Sequence, residues 1–261
     1  MTIREKKMKY AMGLAFCLIF AVSSVLADVT EIKEYNFELK EGGRISLSNI
    51  NGDVHIEGVS GNQVHVIAKK KAGSQKKLDT LEIDVEATAD LVRIETRHPK
   101  RSMGWFNPGD DGNGSVDYEL KVPTSAELDT IETVNGNIEI IGVKASVSIE
   151  TVNGKMALKG LAGNAKLDTV NGTIDAQFAV LGVGQRVKAD AVNGRINLHF
   201  PENTSAEIHA ETVNGSIDAD DFALEPDKGL VGRDLDGRIG AGEAGVHVDT
   251  VNGSITIKRS K

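Results

Sequence analysis

The chain has 261 residues, a formal net charge of −8 and an aromatic content of 4%. The acidic balance argues against nucleic acids and anionic lipid surfaces as partners, since both repel a negatively charged protein. The low aromatic content argues against a large globular core and against sugar binding by ring stacking. A thin aliphatic core is expected instead.

The first 27 residues have the layout of a secretory signal peptide. A basic segment that ends at Lys9 precedes an uncharged apolar run from Tyr10 to Leu26, and Val25-Leu26-Ala27 offers a cleavage site. The sequence therefore predicts export and a mature chain that begins at Asp28. An uncleaved membrane anchor is the alternative, because the apolar run is close to the ~17 residues of a short membrane-spanning helix.

Cys17, within the apolar run, is the only cysteine. The cleaved protein would therefore contain no disulfide and no thiolate metal site. Removing the charge of +3 carried by the signal segment from the total of −8 leaves −11 for the mature chain. We assign residues 28–122 to an N-terminal β section with one repeat copy and a Gly/Asp-rich loop. Residues 123–261 are assigned to the main repeat array.

The N-terminal section is predicted to contain strands of less regular spacing. Alternating apolar residues indicate strands at 63–68, 81–87 and 91–96. Residues 99–115 are predicted to form a loop rich in glycine, aspartate and asparagine. A weakly helix-compatible window at 74–81 is the one exception to the β pattern.

A unit of Val or Ile followed by Asn-Gly recurs through the chain. From Asn135 onward the steps are 18, 18, 22, 21, 22 and 16 residues, counting a degenerate copy at Leu235-Asp236-Gly237. Regular internal repetition of this kind is typical of stacked repeat architectures. The full copies are Asn51-Gly52, Asn135-Gly136, Asn153-Gly154, Asn171-Gly172, Asn193-Gly194, Asn214-Gly215 and Asn252-Gly253.

Apolar residues two positions apart flank each Asn-Gly pair. Around Asn171 they are Leu167 on one side and Ile174 and Ala176 on the other, with polar residues between. This alternation predicts β-strands with one buried face. Each copy is therefore a strand, an Asn-Gly corner and a second strand.

This unit predicts an all-β fold that two architectures could use. Asn-Gly is a strong hairpin signal because both residues accept positive φ, and hairpins would give an antiparallel β-meander. The fixed register of many short copies instead favours a single-stranded, β-helix-like β-solenoid, with coils stacked about 4.8 Å apart. The valine before each Asn supports the solenoid, because a corner can turn it inward. Stacked Asn side chains could also form hydrogen bonds between coils. We therefore predict the solenoid.

The repeated Thr-Val-Asn-Gly-x-Ile pattern, together with the Val-Pro-x-x-Ala sequence at 122–126 and the signal peptide, resembles the bacterial DUF4097 family. The resemblance covers the chain from about Glu41 to Ile257. It implies a β-strand-repeat, solenoid-like domain at the cell envelope, with an adhesin label that says little about the ligand. The copy at Asp236 departs from the pattern, because Asp replaces Asn and the preceding Thr-Val is lost.

A carboxylate lies three residues before each Asn of the main array. Strand alternation places it on the exposed face, and in a solenoid successive carboxylates would lie about 4.8 Å apart. Such a column could bind Ca²⁺ or a basic partner. We favour a solvated face whose repulsion is relieved by Lys155, Lys166, Lys188 and Arg195. The carboxylates are Glu132, Glu150, Asp168, Asp190, Glu211 and Asp249.

The sequence gives no positive sign of catalysis. It has no Gly-x-Ser-x-Gly motif, no phosphate-binding loop and no His-x-x-x-His pair for zinc. The histidines are predicted to lie singly along the chain. They are His55, His65, His98, His199, His209 and His247.

The prediction is therefore a non-enzymatic, exported envelope protein in the periplasm or at the cell surface. It would be an adhesin-like binding or structural module for an unknown envelope protein or glycan, without a membrane span after signal cleavage. We expect no cofactor, Ca²⁺ being the one ion considered. The alternative is a β-helix carbohydrate-active enzyme, a lyase or a hydrolase, against which the aromatic content weighs.

Overall fold

A computed structural model of the protein describes residues 28–97, 114–228 and 232–260. The predicted signal peptide and most of the loop predicted at 99–115 lie outside these ranges. Among the helices of the described ranges, none has the length and apolarity needed to cross a membrane.

Most of the described chain is β-strand. A five-residue helix, α1 (Gln75–Asp79), lies in the window that the sequence marked as helix-compatible. A single 3₁₀ turn spans Asp220–Phe222. The strands are β1 (Val29–Glu38), β2 (Arg44–Ser48), β3 (Val54–Val59), β4 (Gln63–Ala72), β5 (Glu82–Ala87), β6 (Leu91–Arg97), β7 (Gly114–Pro123), β8 (Glu127–Asn135), β9 (Ile138–Ile141), β10 (Val147–Leu161), β11 (Ala165–Phe178), β12 (Arg186–Phe200), β13 (Ala206–Asp218), β14 (Asp227–Lys228), β15 (Arg233–Ile239) and β16 (Ala244–Arg259).

The repeat copies pair in parallel and in register. Asn171 on β11 lies opposite Asn153 on β10 and opposite Asn193 on β12. This arrangement confirms the β-solenoid and excludes the antiparallel meander of Asn-Gly hairpins. The strands belong to one open sheet of 16 strands, to which antiparallel strands are added at both ends.

The facing of the side chains changes at each Asn-Gly corner. On β10, Ile149 and Thr151 are buried before the corner, whereas Met156 and Leu158 are buried after it. The buried positions therefore shift from odd to even numbers, so that the residues before and after the corner face one shared core. We call the part of each copy before the Asn the N-terminal limb, and the part after the Gly the C-terminal limb.

The glycine of each corner is required by close stacking of the backbone. A Cβ on Gly172 would lie 1.9 Å from the carbonyl oxygen of Gly154, which is far inside van der Waals contact. The positive φ that Asn-Gly hairpins of the alternative meander would use is not adopted by the corner glycines of the main array. Gly52 is the one corner glycine in the described ranges with a positive φ, 123°.

The corner asparagines form a continuous amide ladder. From Asn135 along the stack, each Nδ2 donates a hydrogen bond to the Oδ1 of the neighbouring Asn on the side nearer Asn51, at 2.8–3.0 Å. The ladder includes Asn51, because β2 and β3 stack on β8 and β9. Its spatial order is Asn51, Asn135, Asn153, Asn171, Asn193, Asn252 and Asn214.

The stack departs from chain order at its C-terminal end. The last strand, β16, lies between β12 and β13, so that Asn252 faces both Asn193 and Asn214. The other side of β13 pairs antiparallel with β15, where Asp236 lies opposite His209. The interpretation of Leu235-Asp236-Gly237 as a further coil is therefore wrong. Asp236 lacks the amide that the ladder requires, and its carboxylate forms a hydrogen bond with His209 instead.

Candidate functional site

Two rows of side chains run side by side along the outer face of the N-terminal limbs. Strand alternation puts the residues three and one before each Asn on this face, as with Glu150 and Val152 on β10. The carboxylate row consists, in spatial order, of Glu132, Glu150, Asp168, Asp190, Asp249 and Glu211. The aliphatic row consists of Ile50, Val134, Val152, Val170, Val192, Val251 and Val213.

The two rows line a groove of about 710 Å³ that extends from Ser48 on β2 to Val213 on β13. The aliphatic side chains are 37–43% exposed, although the sequence suggested that the corner would turn them inward. That expectation is wrong because the residue two before the Asn takes the inward position. Thr151, for example, is 4% exposed. The aliphatic row is thus a site feature that the sequence reasoning missed.

Lysines on the same face neutralise the middle of the carboxylate row. The Nζ of Lys166 lies 3.2 Å from Glu150 and 3.0 Å from Asp168, and the Nζ of Lys188 lies 2.5 Å from Asp190. The hydrogen bond with Asp168 and then that with Glu150 raise the pKa of Lys166. The hydrogen bond with Asp190 likewise raises the pKa of Lys188. The two lysines therefore compensate only part of the negative charge of the six carboxylates on this face.

The other two basic residues expected to relieve the row lie elsewhere. Lys155 and Arg195 follow their corners, and Lys155 pairs with Asp175 on the C-terminal limb at 3.7 Å. Glu132 and Glu211, at the two ends of the row, have no ion pair with any described residue. The negative potential is therefore least compensated at the ends of the groove.

Several oxygens along the groove are shielded from solvent and have no hydrogen-bond partner among the described residues. They are the Oδ1 atoms of Asn49, Asp190 and Asp249 and the hydroxyls of Thr151, Thr169 and Thr250. Buried polar atoms in folded proteins usually have a partner. These oxygens leave unused hydrogen-bonding capacity beneath an apolar strip.

A second cluster lies where β13, β15 and β16 meet. The imidazoles of His209 and His247 stack with centroids 4.9 Å apart and planes inclined by 12°. His209 Nδ1 lies 2.6 Å from Asp236, and His247 Nε2 lies 2.8 Å from Asp249. The expectation that the histidines lie singly is wrong for this pair. Both lie five residues before an Asn, which is the signal that the sequence offered, but only the insertion of β16 beside β13 makes them neighbours.

The fold and its outer groove define the class of this protein, an open, parallel β-solenoid built from Asn-Gly rungs. The chain belongs to the Toastrack DUF4097 family, which matches residues 28–258. No curated protein matches the sequence significantly.

Two solved structures are among those that match this chain. A candidate cell adhesion protein from Clostridium sporogenes is 14% identical, with a TM-score of 0.51, and the match covers 88% of this chain and 100% of that one. A candidate adhesin from Bacteroides fragilis is 13% identical, with a TM-score of 0.36 and coverage of 88% and 97%. At this identity the first similarity shows the fold alone.

Proposed function

We propose that this protein is a non-enzymatic, exported binding module of the cell envelope. Its outer groove would hold a basic, partly apolar segment of an envelope partner. The observation that carries the proposal is the exposed aliphatic row on seven coils beside the carboxylate row on six of them; the coil of Asn51 has Ser48 in place of the carboxylate.

The aliphatic row is the first argument for a binding surface. Seven β-branched side chains lie next to one another, each at least 37% exposed. At a strand spacing of about 4.8 Å they form an apolar strip roughly 29 Å long. Contiguous exposed apolar surface of this kind marks interaction sites more often than isolated apolar residues do.

The charge beside the strip indicates which partner it would fit. The ammonium groups of Lys166 and Lys188 balance only part of the carboxylate row. A partner with basic side chains would gain from the remaining charge, and its apolar side chains would cover the valines.

Export and the envelope location rest on the predicted signal peptide and on a mature sequence without cysteine. A long, regular face is also what an adhesive protein would use. An adhesive role is the one named for the Clostridium sporogenes protein. These points support the envelope location and the binding role independently of the geometry of the groove.

The test compares capture of envelope components by three immobilised forms of the protein. The groove variant carries Val152→Thr, Val170→Thr and Val192→Thr, which keep the β-branched shape and remove the apolar surface. The control variant carries Val180→Thr and Val183→Thr, which are 52% and 79% exposed outside the groove. Quantitative mass spectrometry should find a component that the native and control proteins retain, that the groove variant loses, and that salt releases. Equal capture by all three forms would refute the groove as the binding surface.

A further inference from the structure

We propose that His209, His247 and Asp249 form a binding site for Zn²⁺ or a divalent ion of similar ligand preference, and that Asp236 orients His209. This site adjoins the C-terminal end of the groove and shares Asp249 with the carboxylate row, but it uses imidazole chemistry and does not rest on the proposed use of the groove.

The fold brings the three proposed ligands and Asp236 next to one another. His209 on β13 lies directly opposite His247 on β16, and its other neighbour across the sheet is Asp236 on β15. Asp249 follows His247 by two residues, so it projects from the same face of β16. Three strands from distant parts of the chain therefore contribute to one cluster.

The distances suit a single ion. One ligand atom from each of His209, His247 and Asp249 lies within 4.8 Å of the others. Ligands of a tetrahedral zinc ion, with bonds of about 2.0–2.2 Å, lie roughly 3.4 Å apart. Because all three side chains are only half-buried, rotations about their side-chain bonds can close the remaining gap.

The donor set favours zinc-like ions over calcium. Imidazole nitrogens bind Zn²⁺, Ni²⁺ and Cu²⁺, whereas Ca²⁺ requires six to eight oxygen ligands. The Oδ2 of Asp249 lies 2.8 Å from His247 Nε2, so an ion bound there would replace the proton between the two atoms. The Oδ1 of Asp249 is shielded and accepts no hydrogen bond from the described residues, which leaves it available as a further ligand.

Asp236 has the position of a group that orients a metal ligand. Its Oδ1 lies 2.6 Å from His209 Nδ1. This contact favours the tautomer with the proton on Nδ1 and leaves the lone pair of Nε2 for a metal. Metal-binding histidines commonly have such a carboxylate partner. Lys188, opposite His247 on the side away from His209, pairs with Asp190 at 2.5 Å and is thereby held by another carboxylate.

The test is isothermal titration calorimetry of the purified protein with ZnCl₂ at neutral pH, after treatment with a chelator. The native protein should bind one Zn²⁺ per chain. His247→Asn and His209→Asn should each weaken binding at least tenfold. Asp236→Asn should weaken it by about tenfold while keeping the stoichiometry, as expected for an outer-shell partner.

His199→Asn is the matched control. His199 is also a half-buried histidine with an aspartate nearby, Asp175 at 3.7 Å, but its neighbours across the sheet are Gln177 and Lys258. This variant should bind Zn²⁺ like the native protein. Circular dichroism without metal should show all variants folded, because the replaced side chains lie at the surface. The proposal is overturned if His247→Asn binds as the native protein does, or if His199→Asn loses binding to the same extent.

Discussion

The carbonyl oxygen of Gly172 lies 1.6 Å from the point that a Cβ on Gly194 would occupy. Corner glycines throughout the array have the same relationship, with distances of 1.6–2.2 Å to a backbone oxygen of the adjacent strand. The atom that the Cβ would meet is a backbone oxygen and cannot rotate away as a side chain could. A methyl group at the corner could therefore be accommodated only if two coils moved apart. The glycine is thus the element of the repeat that sets the spacing of the corner.

Gly194→Ala is therefore expected to lower the free energy of unfolding by roughly 3 kcal/mol or more, because the clash must break part of the backbone ladder. Urea denaturation would measure the change. Gly245→Ala is the control, since a Cβ on Gly245 would meet no atom within 4 Å. We expect it to be neutral or slightly stabilising. Equal losses in the two variants would contradict the role assigned to close stacking.

The facing of the C-terminal limb is tested by a pair of adjacent substitutions on β11. Ile174 is fully buried, and Ile174→Asp would place an unpaired charge in the core, which should cost several kcal/mol and unfold the array. Thr173→Asp should be nearly silent, because Thr173 is outside the core and lies between Lys155 and Arg195. Thermal melts followed by circular dichroism would distinguish them. Similar damage from both would mean that the facing assignment is wrong.

The sequence was sufficient to predict the strand–corner–strand unit and its parallel stacking, because the apolar alternation and the fixed Asn-Gly register are local signals. It did not predict the direction of Val152, since the reversal of facing at the corner depends on which residue packs against the neighbouring coil. Nor could it predict that His209 meets His247. That contact follows from the insertion of β16 between β12 and β13, which is decided by tertiary pairing.

The carboxylate row was found by spacing alone, whereas its electrostatic environment required the structure. Lys166 and Lys188 were among the expected compensating groups and lie on the row, but Lys155 and Arg195 lie beyond the corner. The two limbs diverge at the Asn, so proximity in sequence does not mean a shared face. The position of a charge relative to the corner decides which row it affects.

The pKa of His209 should lie above its ordinary value. The hydrogen bond to Asp236 is the main cause of its raised pKa; burial opposes it, and the negative charges of Asp236, Asp249 and Glu211 add smaller increases. NMR titration in the presence of a chelator would measure the pKa, and Asp236→Asn should lower it towards its ordinary value.

The same shift predicts the direction of a pH effect on stability. Because the folded-state pKa of His209 is raised, protonation favours the folded state. This stabilisation is complete below the unfolded pKa of about 6.5 and is lost as the pH rises through the higher folded value. The Asp236→Asn variant should lose this component. An unchanged pKa in that variant would contradict the assigned pair.

Calcium binding by the carboxylate row is tested by thermal melts in CaCl₂ and in NaCl of equal ionic strength. Specific binding to the folded state would raise the melting temperature further in calcium. We expect no such difference, because Lys166 already bridges Glu150 and Asp168 and Ca²⁺ requires six to eight oxygens. If a difference is found, Glu150→Gln combined with Asp168→Asn and Asp190→Asn should abolish it, and the row would then be a cation site.

The most direct measurement of the central claim is photo-cross-linking in intact cells, with a photoreactive residue placed at Val170 in the groove or at Val183 outside it. Both valines are exposed, at 39% and 79%, so a difference between them reports on binding and not on accessibility alone. Binding in the groove predicts a discrete adduct with an envelope component from position 170 that is absent from position 183. The absence of an adduct at 170, or the same adducts from both positions, would contradict the account.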